Sequence, residues 1–190
     1  MKEKSCIVCK TKFTPMRPIQ KVCGAPCAIQ YATEKRDKTR AKAERIAQQE
    51  SRKVIRLAKE KAKTRSDWKK EAQTAFNAWI RQRDANEPCI SCGRHHQGQY
   101  HAGHYRSVGS NPALRFEPLN VHKQCAPCNN HKSGNLVEYR IRLLKKIGSE
   151  KLDWLEGPHE PKKYTVEEFM QIKTYYTVER KKLMKVESSE

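Results

Sequence analysis

Apolar residues recur at helical spacing from Ser66 onward: Trp68, Ala72, Phe76, Trp79 and Ile80 fall on one face. Such a stripe predicts an amphipathic helix packed on the domain that follows it. Its end is expected near Asp84, ahead of Pro88. The last 55 residues carry the same period. They predict a helix from Leu136 to Ile147 stopped by Gly148, and a short one closed by Gly157 and Pro158. A final helix starts at Thr165, where Thr165 and Glu168 form a capping box, with Phe169, Ile172 and Tyr176 turned inward.

Residues 30 to 65 break this pattern. Alanines and straight-chain residues favour helix, and neither Gly nor Pro interrupts the stretch from Glu34 to Arg65. The one candidate seam, Ala43, Ala47, Glu50, Val54, Leu57 and Lys61, is too polar for a coiled coil. The stretch holds 13 basic and 5 acidic residues, a net charge of +8. Two readings stand: a basic helix that tracks phosphates, through residues such as Lys53 and Arg56, or a solvated spacer.

Charge then narrows the partner. The chain of 190 residues has 40 Lys and Arg against 21 Asp and Glu, a formal charge of +19. A surplus of one sign on that scale points to a polyanion. The apolar fraction of 36% is low, so part of the chain adds little to any core. Neither a bilayer-spanning apolar run nor a signal-peptide pattern is expected to operate.

The 8 cysteines fall into close pairs: Cys6 and Cys9, Cys23 and Cys27, Cys89 and Cys92, Cys125 and Cys128. In a basic chain without a leader, such pairs favour two four-thiolate zinc sites over disulfides. The first tetrad defines a unit over 1–29, with 13 residues between its pairs, room for a hairpin carrying Phe13 and Val22. A zinc ribbon and a truncated treble clef both fit, and so do a purely structural clip and a DNA contact. The second tetrad brackets YHAGHYRS from Tyr100 and LNVHKQC from Leu119. Two short strands around a loop, then a knuckle and a helix, make the order of a ββα-metal hairpin. The fold class is therefore α+β: a small zinc-bound unit, a basic helix over 30–65, and a zinc-stabilised, treble-clef-like core (87–136) flanked by helices within 66–190.

The motifs CISCG, HAGHYRS, LRFEPLNVHKQC and CNNHKSGNL, between Cys89 and Leu136, resemble the HNH (His-Me finger) nucleases held by four cysteines. Nearly the whole chain is similar to the NinG (Rap) recombination endonucleases of lambdoid phages, and its site plan resembles that of phage endonuclease VII. The resemblance implies an HNH-type endodeoxyribonuclease that cleaves Holliday junctions, D-loops and other branched DNA during phage recombination. It implies a cytoplasmic setting in the infected host, phage or host recombination proteins as partners, and a homodimer as the assembly. By the same match His104 is the general base, Asn129 a ligand of catalytic Mg²⁺ or Mn²⁺, and Asn120 the residue that holds the hairpin loop. An imidazole near its ordinary pKa of about 6.5 suits proton transfer. A hard cation on oxygen ligands suits phosphodiester chemistry. Arg106 and Lys132 are placed to touch phosphate.

One position departs from the family. Where most HNH sites carry an Asp or His directly before the base, this chain has Gly103. His101 is the nearest substitute ligand. Residues three apart in a regular strand face opposite ways. His101 and His104 therefore share one centre only if Ala102 and Gly103 form a bulge. His122 and His131 are rival ligands, or structural histidines. Two other functions fit the composition: a non-catalytic zinc module that binds nucleic acid, and an HNH nickase of low structural selectivity.

Overall fold

The computed structural model describes residues 2–187, with side chains described as far as residue 185. Two compact units divide the chain between Ala62 and Lys63.

In the first unit, β1 (Lys4–Ser5) pairs antiparallel with β2 (Lys12–Phe13). The hairpin closes around the first cysteine pair; it does not lie between the pairs, and Val22 falls outside any strand. The knuckle is itself the reversal: Lys10 adopts φ 65° and its N–H donates to the Cys6 carbonyl at 3.0 Å. Helix α1 (Ala25–Lys61) starts earlier than residue 30, inside the second pair. Pro26 in its first turn presets helical φ and gives up no needed donor. Cys27 thus sits on the helix. No residue of α1 is buried, so intrinsic propensity and i,i+4 pairs such as Arg40 with Glu44 maintain it without a packed core.

In the second unit, α2 (Arg65–Arg83) opens with Thr64 and Asp67 capping each other's backbone N–H. Its face of Trp68, Ala72, Phe76 and Ile80 packs against α5 (Val166–Glu187). Aromatic edges fix that contact: the Phe76 and Tyr176 centroids lie 4.8 Å apart at 72°. The Thr165 and Glu168 capping box forms as expected.

Strand β3 (Tyr100–His104) pairs antiparallel with β4 (Val121–Cys125), from Tyr100↔Cys125 to His104↔Val121. Ala102 and Val121 join the α2–α5 core. A second core of Ile90, Leu114, Tyr139, Leu143, Leu152 and Leu155 is built with α3 (Leu136–Ile147) and α4 (Ser149–Glu156). Buried Asp84 ties α2 to the hairpin: its Oδ2 accepts the Lys123 N–H at 3.0 Å, while Arg83 pairs with its carboxylate at 2.8 Å. Among the described residues, no helix is long and apolar enough to cross a membrane.

Between β4 and α3 the chain makes one wide π-helical turn, Pro127–His131. Ser133, Gly134 and Asn135 then all take positive φ. That kinked passage separates the residues after Cys128 from α3 proper. Asn129 therefore sits inside the short turn and is not the cap of a long helix.

Candidate functional site

The thiols gather as two tetrads. All Sγ atoms of Cys6, Cys9, Cys23 and Cys27 lie within 4.8 Å of one another, as do those of Cys89, Cys92, Cys125 and Cys128. All these cysteines are free thiols, so the disulfide alternative falls. A tetrahedral zinc with bonds of about 2.3 Å needs sulfurs about 3.8 Å apart. Cys9 to Cys23 is 3.5 Å, Cys23 to Cys27 is 3.6 Å and Cys92 to Cys125 is 4.0 Å. Without a cation the thiols of a tetrad are driven apart in pKa: against burial, backbone hydrogen bonds bring Cys6 down to about 6, whereas the hydrogen bond with Cys23 pushes Cys27 up to about 12 and burial pushes Cys125 to about 12. A dication favours the thiolate form of all four members of a tetrad, and zinc fits both sites. At the second site Gly93 takes φ 68°, and its N–H donates to the Cys89 carbonyl at 2.8 Å, the same turn that Lys10 makes at the first.

His104 ends β3, half-buried. Its Nε2 lies 3.0 Å from the Arg115 carbonyl oxygen. A carbonyl can only accept, so Nε2 carries the proton and Nδ1 is the free acceptor of the neutral ring. Burial lowers the His104 pKa, partly offset by that carbonyl. The ring is thus held neutral at physiological pH. Asn120 is fully buried and staples the β3–β4 loop: its Oδ1 accepts the Arg106 N–H at 2.7 Å, and its Nδ2 donates to the Arg106 and Leu114 carbonyls at 3.0 and 3.1 Å. It touches backbone only, so it positions the loop that carries Arg115.

A cavity of about 570 Å³ is lined by His104, Arg106, Asn129 and Ser133. A neighbouring one of about 460 Å³ is lined by His101, Asn129, Asn77 and Arg81. Asn129 and Ala102 border both. Pairing of β3 with β4 runs unbroken from Tyr100 to His104, so no bulge turns His101 to the side of His104. Asn129 is what the two histidines have in common.

The register also explains Gly103. A Cβ there would overlap the Gln124 side chain, which is fully buried and held by Ser91 Oγ at 2.6 Å and the Gly134 carbonyl at 2.5 Å. No Asp fits before His104 while Gln124 fills that place.

The rivals sit elsewhere. His122 is buried, and burial pushes its pKa down to about 3. Tyr139 spends its hydroxyl proton on the Gly103 carbonyl at 2.9 Å, so His122 Nδ1 must donate to the Tyr139 oxygen, 3.3 Å away. That ring faces a separate cavity of about 310 Å³ with Asp84, Arg142 and Lys146. His131 and Lys132 are exposed just after Asn129. Lys53 and Arg56 are exposed on α1, in the other unit. Among the described residues, the two thiol tetrads are the only His, Cys, Asp and Glu groups clustered for metal.

Sequence reading passed over Arg115 and Tyr139, which act through a main-chain carbonyl and a core hydroxyl. It also passed over His96, whose Nε2 lies 3.1 Å from Cys92 Sγ; the signal was a histidine one turn beyond the knuckle.

The family model described as Bacteriophage Lambda NinG protein matches residues 1–187. The chain belongs to the NinG family. Protein ninG of Escherichia phage 933W is 43% identical over 187 residues, covering 95% of this chain and 93% of the relative. Protein ninG of Escherichia phage lambda is 43% identical over 185 residues, covering 92% and 89%. That of Salmonella phage P22 is 43% identical over 185 residues, covering 92% and 90%. No solved structure matches. Both tetrads and the β3–β4 hairpin lie inside the matched span.

Proposed function

We propose that this protein is a divalent-cation-dependent HNH-type endodeoxyribonuclease that cuts branched recombination intermediates such as Holliday junctions and D-loops. The observation that carries the reading is the His104 ring: Nε2 is tied to the Arg115 carbonyl, and the free Nδ1 belongs to a side chain lining a cavity shared with Asn129. A module that only binds DNA gains nothing from a neutral imidazole fixed in one tautomer.

His104 Nδ1 takes the proton of the attacking water, in the range where a buried neutral imidazole is an effective base. Arg106, whose Nε is buried without a partner, and exposed Lys132 meet phosphate oxygens. Asn129, by its amide oxygen, is the residue that would hold Mg²⁺ or Mn²⁺ beside His104; the unbroken register keeps His101 in the neighbouring cavity, out of that centre. When bound, the cation supplies charge neutralisation at the scissile phosphate and the leaving oxygen. That donor is neutral, so tight cation binding depends on the phosphate that DNA brings. The zinc tetrads are structural. On α1, Lys53 and Arg56 supply phosphate contacts, and a second copy of the chain would serve the opposite strand of a junction.

The test is a labelled four-way junction beside a linear duplex of the same sequence, each with Mg²⁺, Mn²⁺ or EDTA. The proposal expects cation-dependent cutting of the junction and little cutting of the duplex. Tight binding without cutting under any cation would make this a zinc-held nucleic-acid-binding module. Equal cutting of both substrates would make it a nickase of low selectivity.

A further inference from the structure

The cavity of about 460 Å³ beside Asn129 has one wall that the cation reading leaves unused: Asn77 and Arg81, both from α2. The orientation of Asn77 follows from a chain of obligatory donors. Arg115 can only donate, and its Nη1 lies 3.2 Å from Gln73 Oε1. Gln73 must therefore use its other end, Nε2, toward Asn77, and it meets Asn77 Oδ1 at 2.8 Å. Asn77 Oδ1 is thus an acceptor already engaged. Its Nδ2 amine, with two N–H groups, is the end left over for the cavity.

Arg81 completes a wall of donors. Four other arginines of this unit are engaged: Arg83 with Asp84, Arg140 with Glu156, Arg65 with the Tyr164 carbonyl, Arg142 with the Ser91 carbonyl. Among the described residues, Arg81 makes no such bond, and its electrostatic neighbour is another cation, Arg180 on α5. An unpaired guanidinium, pressed by a like charge and flanked by an oriented amide donor, is a site for an anion.

We infer that Arg81 and Asn77 form a phosphate-binding subsite for a DNA phosphodiester next to the one attacked at His104 and Asn129. This rests on the nuclease reading only for the identity of the neighbouring phosphate. The ligand chemistry is a singly charged phosphodiester: Arg81 offers a fork of N–H donors to its two free oxygens, and Asn77 adds a neutral donor that rejects no charge. The same Arg115 that orients His104 through its carbonyl orients Asn77 through its side chain and Gln73. Base and subsite are therefore held in one frame.

The experiment measures binding of a fluorescein-labelled four-way junction by anisotropy in EDTA, where no cutting occurs. Single methylphosphonates, which remove one phosphate charge, are placed in turn along one strand through the branch. For the wild-type protein, one position should weaken binding about 10-fold, the scale of a charged hydrogen bond. Arg81→Gln should weaken binding of the unmodified junction by a similar factor and lower the salt slope by about 0.9, one phosphate contact. At that same position the methylphosphonate should cost Arg81→Gln nothing further. Asn77→Asp, which sets a carboxylate against the phosphate, should bind less well than Asn77→Ala. Equal methylphosphonate losses in wild type and Arg81→Gln, or an unchanged salt slope, would overturn the subsite. If the coupling appears but no junction is ever cut, the subsite stands and the nuclease reading falls. If junctions are cut and the coupling is absent, the subsite alone falls.

Discussion

A side chain at position 103 would have to occupy the place held by the Gln124 amide, directly across the hairpin from His104's strand. Gln124 cannot swing away, since Ser91 and the Gly134 carbonyl both hold its Nε2. The residue before His104 is therefore glycine for a packing reason.

Gly103→Ala should destabilise the second unit by about 1–3 kcal/mol, the cost of overpacking a closed site. Adding Gln124→Ala should recover part of that loss, because the clashing atoms are gone. Urea denaturation of the single and double variants gives the coupling. Additive losses would mean that the two positions do not compete for the same space.

His104→Ala should lower junction cutting by about 10²-fold or more while leaving binding nearly intact. Under the proposed mechanism the wild-type rate should have a defined pH signature. Burial lowers the pKa of His104, so the ring is already neutral at and above the ordinary histidine value. Cutting should be flat through neutrality and fall only below pH about 6.5, by about tenfold per unit once the ring protonates. A rate that climbs steeply between neutral and alkaline pH would assign the base to another group.

Asn129→Ala removes a neutral oxygen donor and leaves the base in place. Raising Mn²⁺ should restore part of the cutting in this variant and none in His104→Ala. Single-turnover rates across a Mn²⁺ titration separate the two. Equal rescue of both would remove Asn129 from the cation site.

Elemental analysis should return two zinc ions per chain, one for each tetrad. Cys125→Ser should unfold the second unit, because the hairpin's zinc supplies folding free energy that so few buried residues cannot. Cys6→Ser should release one zinc and spare the second unit, since the tetrads lie in different units. Tryptophan fluorescence follows the difference: Trp68, Trp79 and Trp154 all belong to the second unit.

Local signals in the sequence were enough for the elements and the thiols. The stripe of Trp68, Phe76 and Ile80, the Thr165 and Glu168 box and the stop at Gly148 each act within one or two turns, so they can be read from spacing. Cys-x-x-Cys spacing is equally local, because the knuckle's backbone bond closes over three residues. The first hairpin and the start of α1 differed from expectation for the same reason in reverse. The knuckle turns the chain by itself, and Pro26 lets the helix begin inside the cysteine unit.

Tertiary structure decided what each polar side chain faces. Sequence put His101 first, with His122 and His131 as rivals; burial against Tyr139 takes His122 away, and an unbroken β3–β4 register keeps His101 in a different cavity from His104. The tautomer of His104 depends on a carbonyl 11 residues away, and the orientation of Asn77 on an arginine 38 positions further on, through Gln73. Hydrogen-bond direction is set by whichever donor has no alternative, and that donor is brought near only when the chain closes on itself.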